Sequence, residues 1–145
     1  MSELRGRLRP RLAVTALLLL VSCGRSGPDY QYPDNASLPR DAFIDVGRAI
    51  VSLPIRSAAR VDLRRNAYGD PLLRWSQVVT PQIALRSVAP GRMVYEITTT
   101  YTHPFTIGGN RYRSGTQTTV IDAQTGTRLI TLARGTLAGR TMRTP

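Results

Sequence analysis

The chain contains no lysine: all 20 of its Lys+Arg positions are arginine, set against nine acidic residues. It has one cysteine, Cys23, one histidine, His103, and one tryptophan, Trp75. A single cysteine excludes an intramolecular disulfide and any cysteine-built metal site. A single histidine, with no Gly-x-Ser-x-Gly turn to present a serine, leaves no Ser/His/Asp arrangement. Beyond residue 22 the carboxylates stand at positions 29, 34, 41, 45, 62, 70, 96 and 122, too scattered for the sequence to pair any two as acid and base. No apolar run approaches the ~20 residues of a membrane-spanning helix. The longest, Leu12–Val21, has ten. There is no internal repeat and no low-complexity tract. The sequence therefore offers no catalytic residue, no metal ligand set and no cofactor motif, and the expectation is a protein that is not an enzyme.

What is present begins with charge. Four of the 20 arginines and one of the nine acids fall in the first 22 residues, so the remainder carries 16 Arg against eight acids, a net of +8. Such a field favours anionic partners. Hydrophobic residues make up 41% of the chain, enough for one packed core in a single domain.

The first 23 residues have their own pattern. Met1–Arg11 holds four arginines, and the ten-residue apolar run follows. A basic segment before a 7–15-residue apolar core is the pattern of a secretory signal peptide. There is no Arg-Arg pair for twin-arginine export, the nearest approach being Arg9-Pro10-Arg11. The run ends in Leu20-Val21-Ser22-Cys23, which resembles the lipobox of bacterial lipoproteins. That resemblance implies a diacylglycerol on the Cys23 thiol, cleavage between Ser22 and Cys23, and further acylation, commonly palmitate, of the new N-terminus. It also implies a periplasm-facing protein held in a membrane of the cell envelope. By similarity to enteric lipoproteins, Gly24 in place of aspartate after the cysteine favours the outer membrane over the inner. One chain binds a bilayer only marginally, but two or three, at ~0.8 kcal/mol per buried methylene, make a lasting tether.

Residues 1–22 thus read as signal peptide and residues 23–39 as a lipid-anchored flexible linker. Gly24–Pro39 has three prolines and no apolar period, and its 16 residues reach at most ~55 Å. Residues 40–134 read as one α+β domain, with one or two short N-terminal helices packed on a four-stranded antiparallel meander sheet. Asp41 is placed to cap a helix running to about Val51, which Pro54 ends. A short strand is expected over Ala59–Arg65. Asp70-Pro71 opens a second helix carrying Leu72, Trp75 and Val79. The strands are expected at Gln82–Val88, Met93–Thr102, Tyr112–Ile121 and Thr127–Arg134. A type II turn at Ala89-Pro90-Gly91-Arg92 joins the first two. Turns at Ile107–Asn110 and Asp122–Gly126 follow, with Gly126 left-handed. Met93, Tyr95, Ile97, Thr99 and Tyr101 alternate with Val94, Glu96, Thr98 and Thr100, giving one apolar and one threonine-rich face. The hairpin Val120–Gly126 is similar to hairpins of exported β-rich modules such as the PepSY type, and one hairpin assigns no family. Residues 135–145 read as a loose tail.

Few side chains in this body invite a functional reading. His103 before Pro104 reads as a turn residue, Glu96 as a solvent-face residue, Gly108-Gly109 as a turn with no following helix or lysine to make a phosphate loop, and Trp75 as a core anchor. Arg111-Tyr112-Arg113 is the candidate anion-binding cluster, because residues two apart on a strand share a face and guanidinium groups grip phosphate or carboxylate. The functional expectation is a membrane-anchored envelope lipoprotein acting as a non-catalytic accessory or structural binding module. Its partners would be the membrane through its lipid and an envelope protein, with no nucleic acid. The alternative is a stand-alone module binding an envelope polyanion, a lipid phosphate or acidic glycan, through its arginine-rich surface.

Overall fold

The alternation from Met93 to Tyr101 does form a strand, and it is the strand on which the rest assembles. The computed structural model describes residues 28–55, 58, 60–80 and 83–138. The expected signal segment, the lipobox-like Leu20–Cys23 and the tail from residue 139 onward lie outside the described residues. The elements are a 3-10 turn at Arg40–Ala42, then α1 (Val46–Val51), β1 (Arg60–Leu63), β2 (Leu73–Arg74), α2 (Trp75–Val78), β3 (Met93–Tyr101), β4 (Phe105–Ile107), β5 (Asn110–Asp122) and β6 (Arg128–Leu137).

All six strands belong to one antiparallel sheet. β3 pairs with β5 from Val94↔Asp122 to Tyr101↔Gly115, and β6 pairs with the far edge of β5. The other edge of β3 is shared: β2 covers Met93 and Val94, and β1 covers Ile97 to Thr100. β4 pairs with Asn110–Tyr112, continuing the line of β3 along β5. The four-stranded sheet expected from the sequence is therefore a six-stranded one.

The expected strand over Gln82–Val88 does not form; the described residues from Ile83 run through turns, and Val88 makes one isolated parallel bridge with Tyr32. The reason is turn chemistry. Ala89–Arg92 is a turn, with the Arg92 amide donating to the Ala89 carbonyl at 3.0 Å. Pro90 at its second position cannot take the positive φ that the tight primed hairpin turns require, and the remaining turn types splay the flanking chains. Nor is the turn type II, because Gly91 does not adopt positive φ. Gly91 serves packing instead: a Cβ there would lie 1.9 Å from the Asp34 carboxylate.

The helices are also shorter than expected. Asp41 falls in the 3-10 turn, and Asp45 caps α1 by accepting from the Gly47 amide at 2.7 Å. Between them Ile44 is claimed by the sheet: its amide donates to Ala123 O at 2.8 Å, and its carbonyl accepts from the Tyr95 hydroxyl at 2.7 Å. Burial pushes the Tyr95 hydroxyl above its ordinary pKa, which keeps it a donor. The helix expected from Asp70-Pro71 does not start there. Leu73–Arg74 pairs with β3 instead, leaving α2 one turn. The Asp70 carboxylate accepts from the Leu72 amide at 2.9 Å and pairs with Arg40 on the surface.

The sheet is covered on both faces, but unequally. On one face, α1 and the segment before it lay Ala49, Leu53, Phe43 and Ile44 over Tyr95, Ile97 and Ile121. On the other, Trp75 and Val88 close over Leu73, Val94 and Val120. Val94, Ile97 and Ile121 are fully buried, each contributing about 1.5–3 kcal/mol. β6 runs to Leu137, so residues 135–137, expected as loose tail, are strand.

Opposed glycines set the β5–β6 spacing. Gly115, at φ 152°, faces Gly135, and a Cβ on Gly115 would sit 2.2 Å from the Arg134 carbonyl oxygen. Backbone cannot swing aside as a side-chain tip can. Gly115→Ala is therefore expected to destabilise the domain by roughly 2–3 kcal/mol. Chemical denaturation measures this, and hydrogen exchange should show β6 amides losing protection first. Unchanged β6 protection would refute it.

Candidate functional site

Three features could act on another molecule: a buried polar brace that holds the N-terminal segment, an apolar cleft beside that segment, and the arginines of β5.

The brace centres on Arg92 and Asp122, whose side chains are 5% and 0% exposed. The guanidinium binds the carboxylate through two parallel donors, Nε to Oδ2 and Nη2 to Oδ1, the latter at 2.9 Å. Nη1 donates to the Pro33 carbonyl at 3.2 Å, and the group lies 5.7 Å from the centre of the Tyr32 ring. On its other side Asp122 Oδ1 accepts from the amides of Gln124 and Thr125 and from the Thr125 hydroxyl, closing the β5–β6 turn. Gly126 is left-handed there, as the sequence pattern requires. Burial by itself would raise the Asp122 pKa; the hydrogen bonds from Arg92 and Thr125 and the charge of Arg92 outweigh it and hold the carboxyl below its ordinary value.

The brace fastens a segment that the sequence assigns to a flexible linker. The Tyr32 amide donates to Ser87 O and its carbonyl accepts from the Ala89 amide, both at 2.9 Å. Asn35, 4% exposed, accepts from the Met93 amide at 2.7 Å and donates to Gln124 Oε1 at 3.2 Å. The linker reading therefore fails from Tyr32 onward, where the chain is part of the domain. Composition hid this: a stretch rich in Pro, Asp and Asn reads as loop, and nothing local shows that Asn35 bridges two distant turns.

The cleft lies against this docked segment. It has a volume of about 610 Å³ and is lined by Pro28, Tyr30, Trp75, Val79, Leu85 and Pro90, with Ser76 and Arg86 among the polar groups. That volume falls within the range of ordinary ligand sites. Trp75 is 2% exposed, as expected of a core anchor, yet it also lines the cleft. Its indole N–H is buried without a hydrogen-bond partner among the described residues. An unpaired buried donor costs about 1–3 kcal/mol, a cost the fold carries at this position. The sequence shows no signal for the cleft, because its walls come from three separate segments.

The Arg111-Tyr112-Arg113 cluster is arranged differently from its expectation. A register shift between Tyr112 and Ser114 takes Arg113 out of regular pairing, so alternation alone does not set which face Arg113 shares with Arg111. Tyr112 stacks on Phe105 at 5.0 Å, and Phe105 on Tyr101 at 4.4 Å, making Tyr112 part of an aromatic stack rather than a ligand platform. Both arginines are exposed. His103 is exposed in the connection between β3 and β4. Glu96 is more constrained than a plain solvent-face residue, since Arg64 pairs with it at 2.9 Å.

No protein-family model matches the chain, and neither the curated proteins nor the solved structures compared with it provide a match.

Proposed function

We propose that the chain is a lipoprotein of the bacterial envelope. It is held through lipid on Cys23, outer membrane favoured, and its domain is a non-catalytic module that takes an apolar segment of a membrane-associated partner protein into the cleft beside Trp75. The observation that carries this reading is the position of the cleft. Pro28 and Tyr30 line it, and Pro28 stands five residues after Cys23 in the sequence. Five residues span at most about 18 Å. A domain lipidated at Cys23 therefore presents this opening close to the bilayer surface, where partners anchored in the same membrane expose their juxtamembrane segments. A mainly apolar wall suits such a segment.

The anchor is tested first. Cys23→Ser is expected to abolish palmitate labelling and to move the protein out of the membrane fraction, a near-complete loss because no other acyl site remains. Mass spectrometry of the mature N-terminus checks the same point. An unmodified Cys23 in the wild-type protein refutes it. The cleft is tested by a photoreactive amino acid at Ser76, which is exposed and lines it. One defined protein adduct in intact membranes is expected, and Val79→Asp is expected to remove it. An adduct insensitive to Val79→Asp overturns the cleft as the docking site.

A further inference from the structure

The sheet face that carries Glu96 holds a second groove, away from the apolar cleft. Alternation and register place Glu96, Thr98 and Thr100 of β3 beside Val120, Thr118 and Thr116 of β5, and these in turn beside Leu132 and Arg134 of β6. Trp75 and its neighbours cover this face only at the Val94–Val120 end. The rest is open, and a groove of about 440 Å³ runs along it between Glu96 on one rim and Arg134 on the other. Two inter-strand spacings, roughly 10 Å, separate the rims, and a four-residue offset along the strands puts Glu96 and Arg134 roughly 16 Å apart along the backbone grid. Val78 and Leu132, both partly exposed, give the floor an apolar patch, and Thr116 and Thr118 line it with hydroxyls.

The charges along the groove do not cancel. Glu96 is neutralised and held by Arg64, and Asp62 by Arg60. Arg134 is exposed and forms no ion pair among the described residues. The result is a strip with one free guanidinium, a carboxylate fixed in position, a row of threonine hydroxyls and a small apolar floor. The Thr98 and Thr118 hydroxyls, 3.0 Å apart, hydrogen-bond each other, which orders them.

We infer that this groove binds an acidic carbohydrate, a short run of sugar units carrying a carboxylate. Each feature matches a part of such a ligand. A carboxylate held by a neighbouring arginine is an acceptor for a pair of sugar hydroxyls. Threonine both donates and accepts, as a polyol demands. The C–H face of a sugar ring lies on Val78 and Leu132. The free guanidinium of Arg134 takes the anionic group bidentately. A neutral sugar leaves Arg134 unused, and a bare anion leaves the hydroxyl row unused. The same face revises the sequence-level anion cluster: the arginine positioned by a groove is Arg134, not the Arg111 and Arg113 pair.

The test is calorimetric titration of the full-length protein in detergent with an oligogalacturonate, with a neutral oligosaccharide of the same length, and with inorganic phosphate as competitor. Arg134→Ala and Thr118→Val supply the variants; both sites are at least partly solvent-exposed, and circular dichroism verifies that each folds. Oligogalacturonate is expected to bind. Arg134→Ala and the neutral sugar are each expected to weaken binding about tenfold, the worth of one charge-assisted pair. Thr118→Val is expected to weaken it a few-fold, and phosphate at equal concentration is expected not to displace the sugar. The inference is overturned if the wild type does not bind, if Arg134→Ala binds as tightly as wild type, or if phosphate alone displaces the ligand. Cleft binding at Trp75 is unaffected by these variants, so the two sites fail or stand separately.

Discussion

Asp122→Ala should lower the stability of the domain by about 3–5 kcal/mol, because it strands the Arg92 guanidinium as an uncompensated buried charge. The same change removes the acceptor for two amides and a hydroxyl in the β5–β6 turn. Urea unfolding measures it, and a loss below 1 kcal/mol would show that Arg92 finds another partner or reaches water. Arg92→Met combined with Asp122→Asn is a sharper comparison. The pair of charges disappears together, while an amide oxygen stays available to the turn. The double variant should be more stable than Asp122→Ala, since replacing both members of a buried pair is far milder than breaking it.

The pair also sets a pH response. The Asp122 carboxyl is held below its ordinary pKa in the folded state, and an unfolded aspartate titrates near about 3.9. A depressed folded value means that the unfolded chain binds protons first as pH falls. The contribution is therefore complete at neutral pH, begins to decline near pH 4, and is lost as pH drops through the lower folded value. Unfolding midpoints at pH 7, 5 and 3 should fall more steeply for the wild type than for Asp122→Asn. Parallel profiles would place the acid sensitivity elsewhere.

Trp75→Ala should cost a comparable 3–5 kcal/mol, the usual range for deleting a buried large aromatic. Trp75 is 2% exposed and packs with Leu73, Val88, Val94 and Val120. The loss should be twofold, since the side chain is also a wall of the cleft. Trp75→Phe separates the two. It keeps most of the apolar surface and deletes an N–H that has no partner, so stability should stay within about 1 kcal/mol of wild type. Because that N–H is buried away from the cleft's solvent, Trp75→Phe should retain the Ser76 photo-adduct while Trp75→Ala loses it. Loss of the adduct in Trp75→Phe would show instead that the cleft needs the full indole.

How much of this was legible beforehand differs from element to element. β3 was legible because nine residues alternate without a break, and its two faces have different partners. The Asp122–Gly126 turn was legible because an aspartate and a left-handed glycine at that spacing form a local structure that needs no distant help. The helices were misjudged for the opposite reason. Asp41 and Asp70 are good capping residues, but Ile44 and Leu73 make better use of their backbones on the sheet, and tertiary hydrogen bonds override local propensity. The expected strand before Ala89 failed on a point the sequence did contain: a proline in the second turn position cannot close a tight hairpin. The Arg111 and Arg113 argument assumed unbroken alternation, and a bulge at that point shifts register without a reliable sequence sign.

By itself the sequence determines properties that depend on residue identity or near neighbours. These are the arginine-only positive charge, the absence of any intramolecular disulfide, the alternation that makes β3, and the lipobox-like ending of the apolar run. Only the tertiary structure decides what depends on residues far apart. Arg92 and Asp122 are 30 positions apart and Asn35 and Gln124 are 89 apart, yet both pairs fasten the N-terminal segment to the sheet. The apolar cleft and the threonine groove likewise exist because separate strands and turns bring their walls together. Covalent neighbours act within a few residues and can be read in order, whereas burial and register are set by the whole chain at once, and these place both the cleft and the groove.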